Sequence, residues 1–141
     1  MKKIFIASDH AGFNLKKAII KKFSKNINFK DLGSYDPIKS VNYPEYAHKV
    51  CLEVVKNKLN IGVLICGSGM GMAMAANKHK KIRAALCYSV KNTKLSRLHN
   101  NANIITLGSR LITKKNALKF ISVFLKTKFD GGRHLKRVKK I

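Results

Sequence analysis

Short apolar runs alternate with longer amphipathic segments along this chain of 141 residues. Such alternation is typical of β-α-β units around a parallel sheet. It predicts five strands, over residues 2–7, 26–30, 61–65, 83–87 and 103–107, the second at an edge. Helices are predicted over residues 13–24, 43–57 and 70–78, in a segment that carries residues 93–98, and from a Thr113 cap to about residue 126. Ser89 and Asn92 are alternative caps for the fourth helix.

The predicted fold class is α/β: a single-domain, three-layer α/β/α arrangement of Rossmann-like type with a five-stranded parallel sheet. The length suits one domain over residues 1–141, in which residues 127–141 form a C-terminal tail without an obvious core face. Arg133 and Arg137 lie four residues apart in this tail. On a helix they would share one face and can grip one phosphate, although an ordinary basic terminus is the alternative.

No apolar run reaches 18 residues, and the first strand breaks at Ser8, too early for the apolar region of a signal peptide. Three cysteines, Cys51, Cys66 and Cys87, give neither a disulfide framework nor the spacing of a zinc site. We therefore expect a cytoplasmic protein with reduced thiols and no membrane association.

The formal net charge of +24 raises nucleic acid as a partner. Of the 30 basic residues, 25 are Lys, scattered over every predicted helix, and five are Arg. Specific readers of nucleic acid favour clustered Arg forks and stacking aromatic side chains, and neither cluster occurs here. We expect no specific nucleic-acid partner, only weak adhesion at low salt.

The strongest chemical signal is the apolar strand that ends at Cys66 and runs into three alternating glycines, Gly67, Gly69 and Gly71. A helix start favours a thiolate, and glycines let backbone N–H groups approach an anion. The stretch therefore predicts a base or nucleophile beside an anion cradle. A buried structural cysteine at a tight turn is the alternative. The dinucleotide pattern G-x-G-x-x-G fails at Met72, and the P-loop and H-E-x-x-H patterns are absent.

In an open α/β sheet, ligands bind beyond the carboxyl ends of the strands. The segments 8–10, 66–68 and 108–110 follow the first, third and fifth strands and should meet there. His99 and Asn100 end the fourth helix at its far end, so they reach that site only by a bent path or from a neighbouring subunit. A dimer is therefore plausible. For Asp9, His10 and His99, helix capping or an ordinary loop position is the alternative; His48 and His79 are predicted on the solvated surface.

Separate blocks in one consistent order then suggest a family: Ser8-Asp9-His10-Ala11-Gly12, Tyr43-Pro44, Ile65-Cys66-Gly67-Ser68-Gly69-Met70-Gly71, Ala75-Ala76-Asn77-Lys78, Ile82-Arg83-Ala84, Ser96-Arg97-Leu98-His99-Asn100, Asn103, Gly108-Ser109-Arg110 and Gly131-Gly132-Arg133-His134-x-x-Arg137. Together they resemble the B-type ribose-5-phosphate isomerases and the related galactose-6-phosphate and allose-6-phosphate isomerases. The likeness covers residues 8–137.

The resemblance implies interconversion of D-ribose 5-phosphate and D-ribulose 5-phosphate in the pentose phosphate pathway, through an enediolate and without metal or organic cofactor. It implies that Cys66 is the base and that His99 opens the furanose ring. The enediolate oxygens would be bound by Gly67, Ser68, Gly69, Met70 and Gly71, the sugar hydroxyls by Asp9 and Asn100, and the phosphate by His10, Arg110, Arg133 and Arg137. It also implies a homodimer or dimer of dimers with a composite site.

Some relatives use Glu a few residues after the cysteine position; residues 71–74 hold no acid, which places this chain with the cysteine users. A hexose 6-phosphate isomerase is the alternative within the family, to be distinguished by pocket depth near Tyr43 and the loop after Gly67. A non-catalytic sugar-phosphate binder and a basic nucleic-acid adaptor are alternatives from other classes. The presence of both Cys66 and His99 disfavours the non-catalytic binder.

Overall fold

The computed structural model describes residues 1–141 as five parallel strands and six helices. The strands are β1 (Ile4–Ser8), β2 (Phe29–Asp31), β3 (Ile61–Cys66), β4 (Ala84–Leu86) and β5 (Ile104–Gly108). The helices are α1 (Phe13–Phe23), α2 (Tyr43–Val54), α3 (Met70–Ala76), α4 (Val90–Leu98), α5 (Lys114–Lys126) and α6 (Arg133–Val138). The strand order is β2-β1-β3-β5-β4, and every pairing is parallel. The predicted α/β fold class is confirmed.

The central strand β3 is buried along its whole length, which explains its uninterrupted apolar sequence. Successive side chains enter opposite layers: Val63 and Ile65 join the core beneath α1 and α5, whereas Leu64 and Cys66 join the core beneath α2 and α3. Burying each large aliphatic side chain contributes about 1.5–3 kcal/mol. Packing of β3 into both cores therefore fixes the position of Cys66 at the carboxyl edge of the sheet.

Most predicted boundaries lie within a few residues of the observed ones, and the differences have local causes. The second strand begins at Phe29 rather than at residue 26, because the amides of Asn26 and Ile27 still donate to the Phe23 carbonyl and extend the turn after α1. The alternative caps of α4 both contribute: Ser89 Oγ accepts from the Asn92 amide, and the Asn92 side-chain oxygen accepts from the Ser89 amide.

The structure adds detail to two regions of the surface. The tail contains a sixth helix, which begins after Gly131 and Gly132 at positive φ. It buries no side chain, in keeping with the predicted absence of a core face, and it places Arg133 and Arg137 on one helix. His48 is exposed and His79 is partly exposed, as predicted for surface residues, and Nδ1 of His48 lies 2.6 Å from Nε2 of His79. None of the six helices has the length and apolar composition of a membrane span.

Candidate active site

Cys66 ends β3 opposite Gly108 of β5, with 4% of its surface exposed. Its Sγ accepts a hydrogen bond from the Gly69 N–H at 3.1 Å. Gly69 can turn the chain back toward the sulfur because it adopts φ +75°, and an added Cβ would lie 2.6 Å from Leu86 Cδ1. The bond from the Gly69 N–H holds the Cys66 sulfur against the start of the glycine loop.

Other amides of the same loop have no acceptor within the protein. Met70 N–H donates to Ser68 Oγ at 3.3 Å, but the N–H groups of Gly67, Ser68 and Gly71 make no hydrogen bond to protein atoms. Unpaired backbone donors beside a cysteine sulfur are able to bind an anion, which is the geometry that the predicted cradle requires.

The side chains of Arg110 and Tyr43 pack against two glycines of this loop. The guanidinium of Arg110 packs on Gly67, where a Cβ would lie 2.9 Å from Nη1. The Tyr43 ring packs on Gly71, where a Cβ would collide with it. Arg110 therefore brings a fixed positive charge to the cradle, which suits an anionic substrate.

Asp9 and His10 follow β1 at the same edge of the sheet. The Asp9 amide donates to the Ile65 carbonyl at 3.1 Å, which ties this turn to the strand that carries Cys66. Asp9 is buried, and its Oδ1 accepts from the Gly12 amide at 3.0 Å; the turn-capping alternative is thus realised at one carboxylate oxygen, while Oδ2 makes no bond. His10 Nδ1 accepts from the Val41 amide at 3.3 Å, so a neutral ring carries its proton on Nε2.

A second polar cluster lies at the end of α4. The His99 and His134 rings stack with centroids 4.2 Å apart and planes tilted by 15°. A cavity of about 320 Å³ is lined here by His99, Asn100, Arg133, His134, Arg137, Val138 and Ile141. Desolvation, followed by the positive charges of His99 and the two arginines, lowers the pKa of His134. The cluster is cationic and open, as a phosphate site requires.

Within one chain, the Cys66 cluster lies at the carboxyl ends of the strands and the His99 cluster lies at their amino ends. β5 begins just after the His99 corner and ends opposite Cys66, and its five residues span about 13 Å at the usual rise. The tail is held at the His99 corner, because the Asp130 amide donates to Leu98 O at 3.1 Å and Arg97 Nε donates to Thr127 O at 3.2 Å. The structure thus unites Asp9, His10, Cys66, residues 67–71 and Arg110, and separately His99, Asn100, Arg133 and Arg137. The bent path considered for His99 is not found.

Sequence reasoning missed two features of these clusters. The His99–His134 stack depends on the fold of the tail, and no periodic signal marks it. Lys16 of α1 is fully buried, although lysine side chains are seldom buried. No group of three or more His, Cys, Asp or Glu side chains is arranged to hold a metal ion.

The fold and the carboxyl edge define an α/β protein with a cysteine in a cradle of amides. The family model described as Ribose/Galactose Isomerase matches residues 4–141, and the chain belongs to this family. It is 46% identical to a probable ribose-5-phosphate isomerase B of Mycoplasma genitalium over 140 residues, which covers 98% of this chain and 92% of the relative. Identity to the ribose-5-phosphate isomerase B of Escherichia coli is 37% over 142 residues, covering 100% and 95%.

Solved structures give the same picture. A ribose 5-phosphate isomerase of Thermotoga maritima matches with a TM-score of 0.94 and 47% identity, covering 98% of this chain and 95% of the other. The ribose-5-phosphate isomerase B of Mycoplasma genitalium, solved with ribulose-5-phosphate bound, matches with a TM-score of 0.95 and 45% identity, covering 99% and 93%. The family resemblance predicted from the sequence is confirmed.

Proposed function

We propose that this protein is an aldose–ketose isomerase that interconverts D-ribose 5-phosphate and D-ribulose 5-phosphate. The observation that carries the proposal is the Cys66 sulfur, held by the Gly69 N–H within a loop of unpaired amides and flanked by Arg110. A relative of 45% identity has been solved with ribulose-5-phosphate bound, which supports the same substrate class for this chain.

The reaction moves protons and one electron pair within the substrate. Cys66 thiolate takes the proton from C2, a C1–C2 double bond forms, and the C1 carbonyl oxygen becomes an enediolate oxyanion. The O2 proton passes to O1, and Cys66 returns its proton to C1, which leaves the C2 ketone. The free amides of Gly67, Ser68 and Gly71 stabilise the developing charge, since fixed dipoles need little reorganisation. Asp9 Oδ2 is free to bind a sugar hydroxyl.

The cluster at the opposite edge serves the same reaction from another chain. We assign ring opening to His99 of the partner subunit, a hydroxyl contact to its Asn100, and phosphate contacts to its Arg133 and Arg137. His10 and Arg110 of the first chain complete the phosphate site. In this scheme residues 1–141 form one isomerase domain, and the tail of residues 127–141 belongs functionally to the neighbouring site.

The position of helix α3 favours a dimer in which the Cys66 cluster of one chain meets the His99 cluster of the other. It begins beside the Cys66 loop, and the segment after it is tied to the His99 corner, because Arg83 Nε donates to Asn100 O at 3.1 Å. Between these ends it exposes apolar side chains, with Met70 48% and Met74 70% exposed. Two copies packed with antiparallel α3 helices would bury these side chains and bring each Cys66 to the partner's His99.

A chemical test compares two buried cysteines. Cys66→Ala removes the base and should lower kcat for ribulose formation by about 10²–10⁴-fold. Cys51→Ala is the control, since burial raises the pKa of the Cys51 thiol to about 12 and the thiol donates its hydrogen bond to the Ala76 carbonyl, at 3.8 Å, away from the Cys66 loop. Purified wild-type protein that forms no ribulose 5-phosphate, or a Cys66→Ala variant that keeps full activity, would overturn the proposal.

The same assay separates the pentose from the hexose alternative. Kinetics on ribose 5-phosphate and on allose and galactose 6-phosphates should give the highest kcat/KM for the five-carbon substrate. A reversed order would place the protein with the hexose phosphate isomerases while leaving the role of Cys66 intact.

A further inference from the structure

The ammonium of Lys16 is the most deeply buried charge in the molecule, with 0% of its side chain exposed. Its Nζ lies 2.7 Å from Asp31 Oδ1 and 2.6 Å from the Ser34 carbonyl oxygen. The rings of Phe13 and Tyr35 flank it at 5.6 and 5.2 Å. A buried charge without a function would be costly compared with an apolar side chain of the same length. None of these partners belongs to the catalytic cluster.

The groups that Lys16 binds form the root of one connection, the 31–43 segment between β2 and α2. Asp31 Oδ1 also accepts from the Gly33 amide at 2.9 Å, and Tyr35 Oη donates to the Asp31 carbonyl at 3.1 Å. Ser8 and this root exchange two backbone bonds of 2.8 Å, from Ser8 N–H to Gly33 O and from Ser34 N–H to Ser8 O. Lys16 therefore holds the 31–43 segment against Ser8, the residue immediately before Asp9.

The far end of the 31–43 segment reaches the site itself. Val41 N–H donates to Nδ1 of His10 at 3.3 Å, which leaves the Nε2 proton of that ring for an incoming oxygen. Tyr43 ends the segment with its ring on Gly71 of the cradle. Between root and end, Asp36 Oδ1 accepts from the Ile38 and Lys39 amides at 2.7 and 3.2 Å, so the loop is internally bonded.

We propose that Lys16 is a positioning residue for the isomerisation: its buried ammonium sets the 31–43 segment, which in turn orients His10 and fixes the tautomer that donates Nε2–H to the substrate phosphate. This inference rests on the proposed function. Asp31 keeps 32% of its side chain exposed, so the pair is buried on the lysine side only. Burial lowers the pKa of Lys16, and the Asp31 carboxylate offsets part of that effect.

The test is Lys16→Met, which keeps the length of the side chain and removes its charge. The matched control is Lys17→Met, on the same helix, exposed, with its Nζ also 5.7 Å from the Phe13 ring. We expect KM for ribose 5-phosphate to rise about tenfold in Lys16→Met, the range of one charge-assisted hydrogen bond, with kcat within about twofold of wild type. Lys17→Met should match wild type. Equal KM values in the two variants would overturn the proposal.

A second readout separates positioning from a loss of stability. The ¹⁵N shifts of the His10 imidazole should show a single Nε2–H tautomer in wild type and an averaged pattern in Lys16→Met. A variant with a lower melting temperature but an unchanged His10 pattern and KM would show a structural role only, and would refute the inference. If Lys16→Met does not fold, Asp31→Asn weakens the same pair without changing its shape. That variant should still raise KM, and an unchanged KM refutes the inference.

The two proposals fail in different ways. Wild-type protein without isomerase activity would refute the proposed function, and the inference about the reaction with it, while the imidazole spectra still report whether Lys16 orients His10. Active wild-type protein with a Lys16→Met variant identical to Lys17→Met would refute the inference alone.

Discussion

Placing the two halves of the site on different chains gives a direct test of whether the active site is shared between subunits. One chain carries Cys66→Ala, and the other carries Arg133→Ala with Arg137→Ala. The first lacks the proposed base, and its rate should fall by about 10²–10⁴-fold. The second lacks two charge-assisted contacts of about 1.5–3 kcal/mol each, which amounts to about 10²–10⁴-fold in kcat/KM. Each homodimer should therefore show at most about 1% of wild-type activity.

The mixed dimer behaves differently if the sites are composite. One of its sites combines the intact Cys66 loop of one chain with the intact arginines of the other, and the second site combines both defects. Co-expression with two different affinity tags allows the mixed dimer to be isolated. Its specific activity on ribose 5-phosphate should be about half that of wild type, because one of two symmetry-related sites is complete.

A dimer with the same substitutions in the opposite arrangement is the matched control. A chain carrying all three substitutions, Cys66→Ala, Arg133→Ala and Arg137→Ala, is paired with a wild-type chain. With composite sites each site then has one defect, and the dimer should be almost inactive. With sites inside single chains, the wild-type chain would keep about half of the activity, and the mixed dimer above would stay inactive. That reversed pair of results would refute the assignment of Arg133 and Arg137 to the neighbouring site.

The remaining predictions concern stability. Gly69→Ala should lower the free energy of unfolding by about 2–5 kcal/mol in urea titrations, since the positive φ and a clash with packed atoms both oppose a Cβ. The control is Gly131→Ala, which should cost only about 1–2 kcal/mol because Gly131 has φ +67° but nothing within 4 Å of an added Cβ. Equal losses would show that packing at Gly69 is not tight. Desolvation and the charge of His48 lower the pKa of His79. The unfolded state therefore binds the proton first, and stability should fall as pH drops below about 6.5. His79→Gln should flatten this dependence in thermal melts, and an unchanged slope would contradict the reasoning.

The sheet was predictable because its signal is local. A strand such as β3, buried on both faces, must be apolar throughout, and helix caps such as Ser89 and Thr113 accept bonds from amides three residues later. Where burial is slight, the signal weakens. The six residues of α6 bury no side chain, so apolar periodicity does not predict this helix, whereas the three half-buried residues of β4 are predicted within one residue at each end.

The residues of the candidate site also differ in whether the sequence alone predicts their positions. Residues at the carboxyl edge can be grouped from the sequence, since a parallel sheet places the loops after β1, β3 and β5 together whatever the details of packing. Lys16 could not be assigned, because its burial depends on an acceptor pair, Asp31 and Ser34, that folding brings to it from 15 and 18 residues away. His99 is a further case. Its position at the end of the strands opposite to Cys66 follows from the sequence, but the sequence does not show which residues complete a site around it. Because α3 runs between the two clusters and exposes Met70 and Met74, the site is proposed above to be completed by a second copy of the same chain.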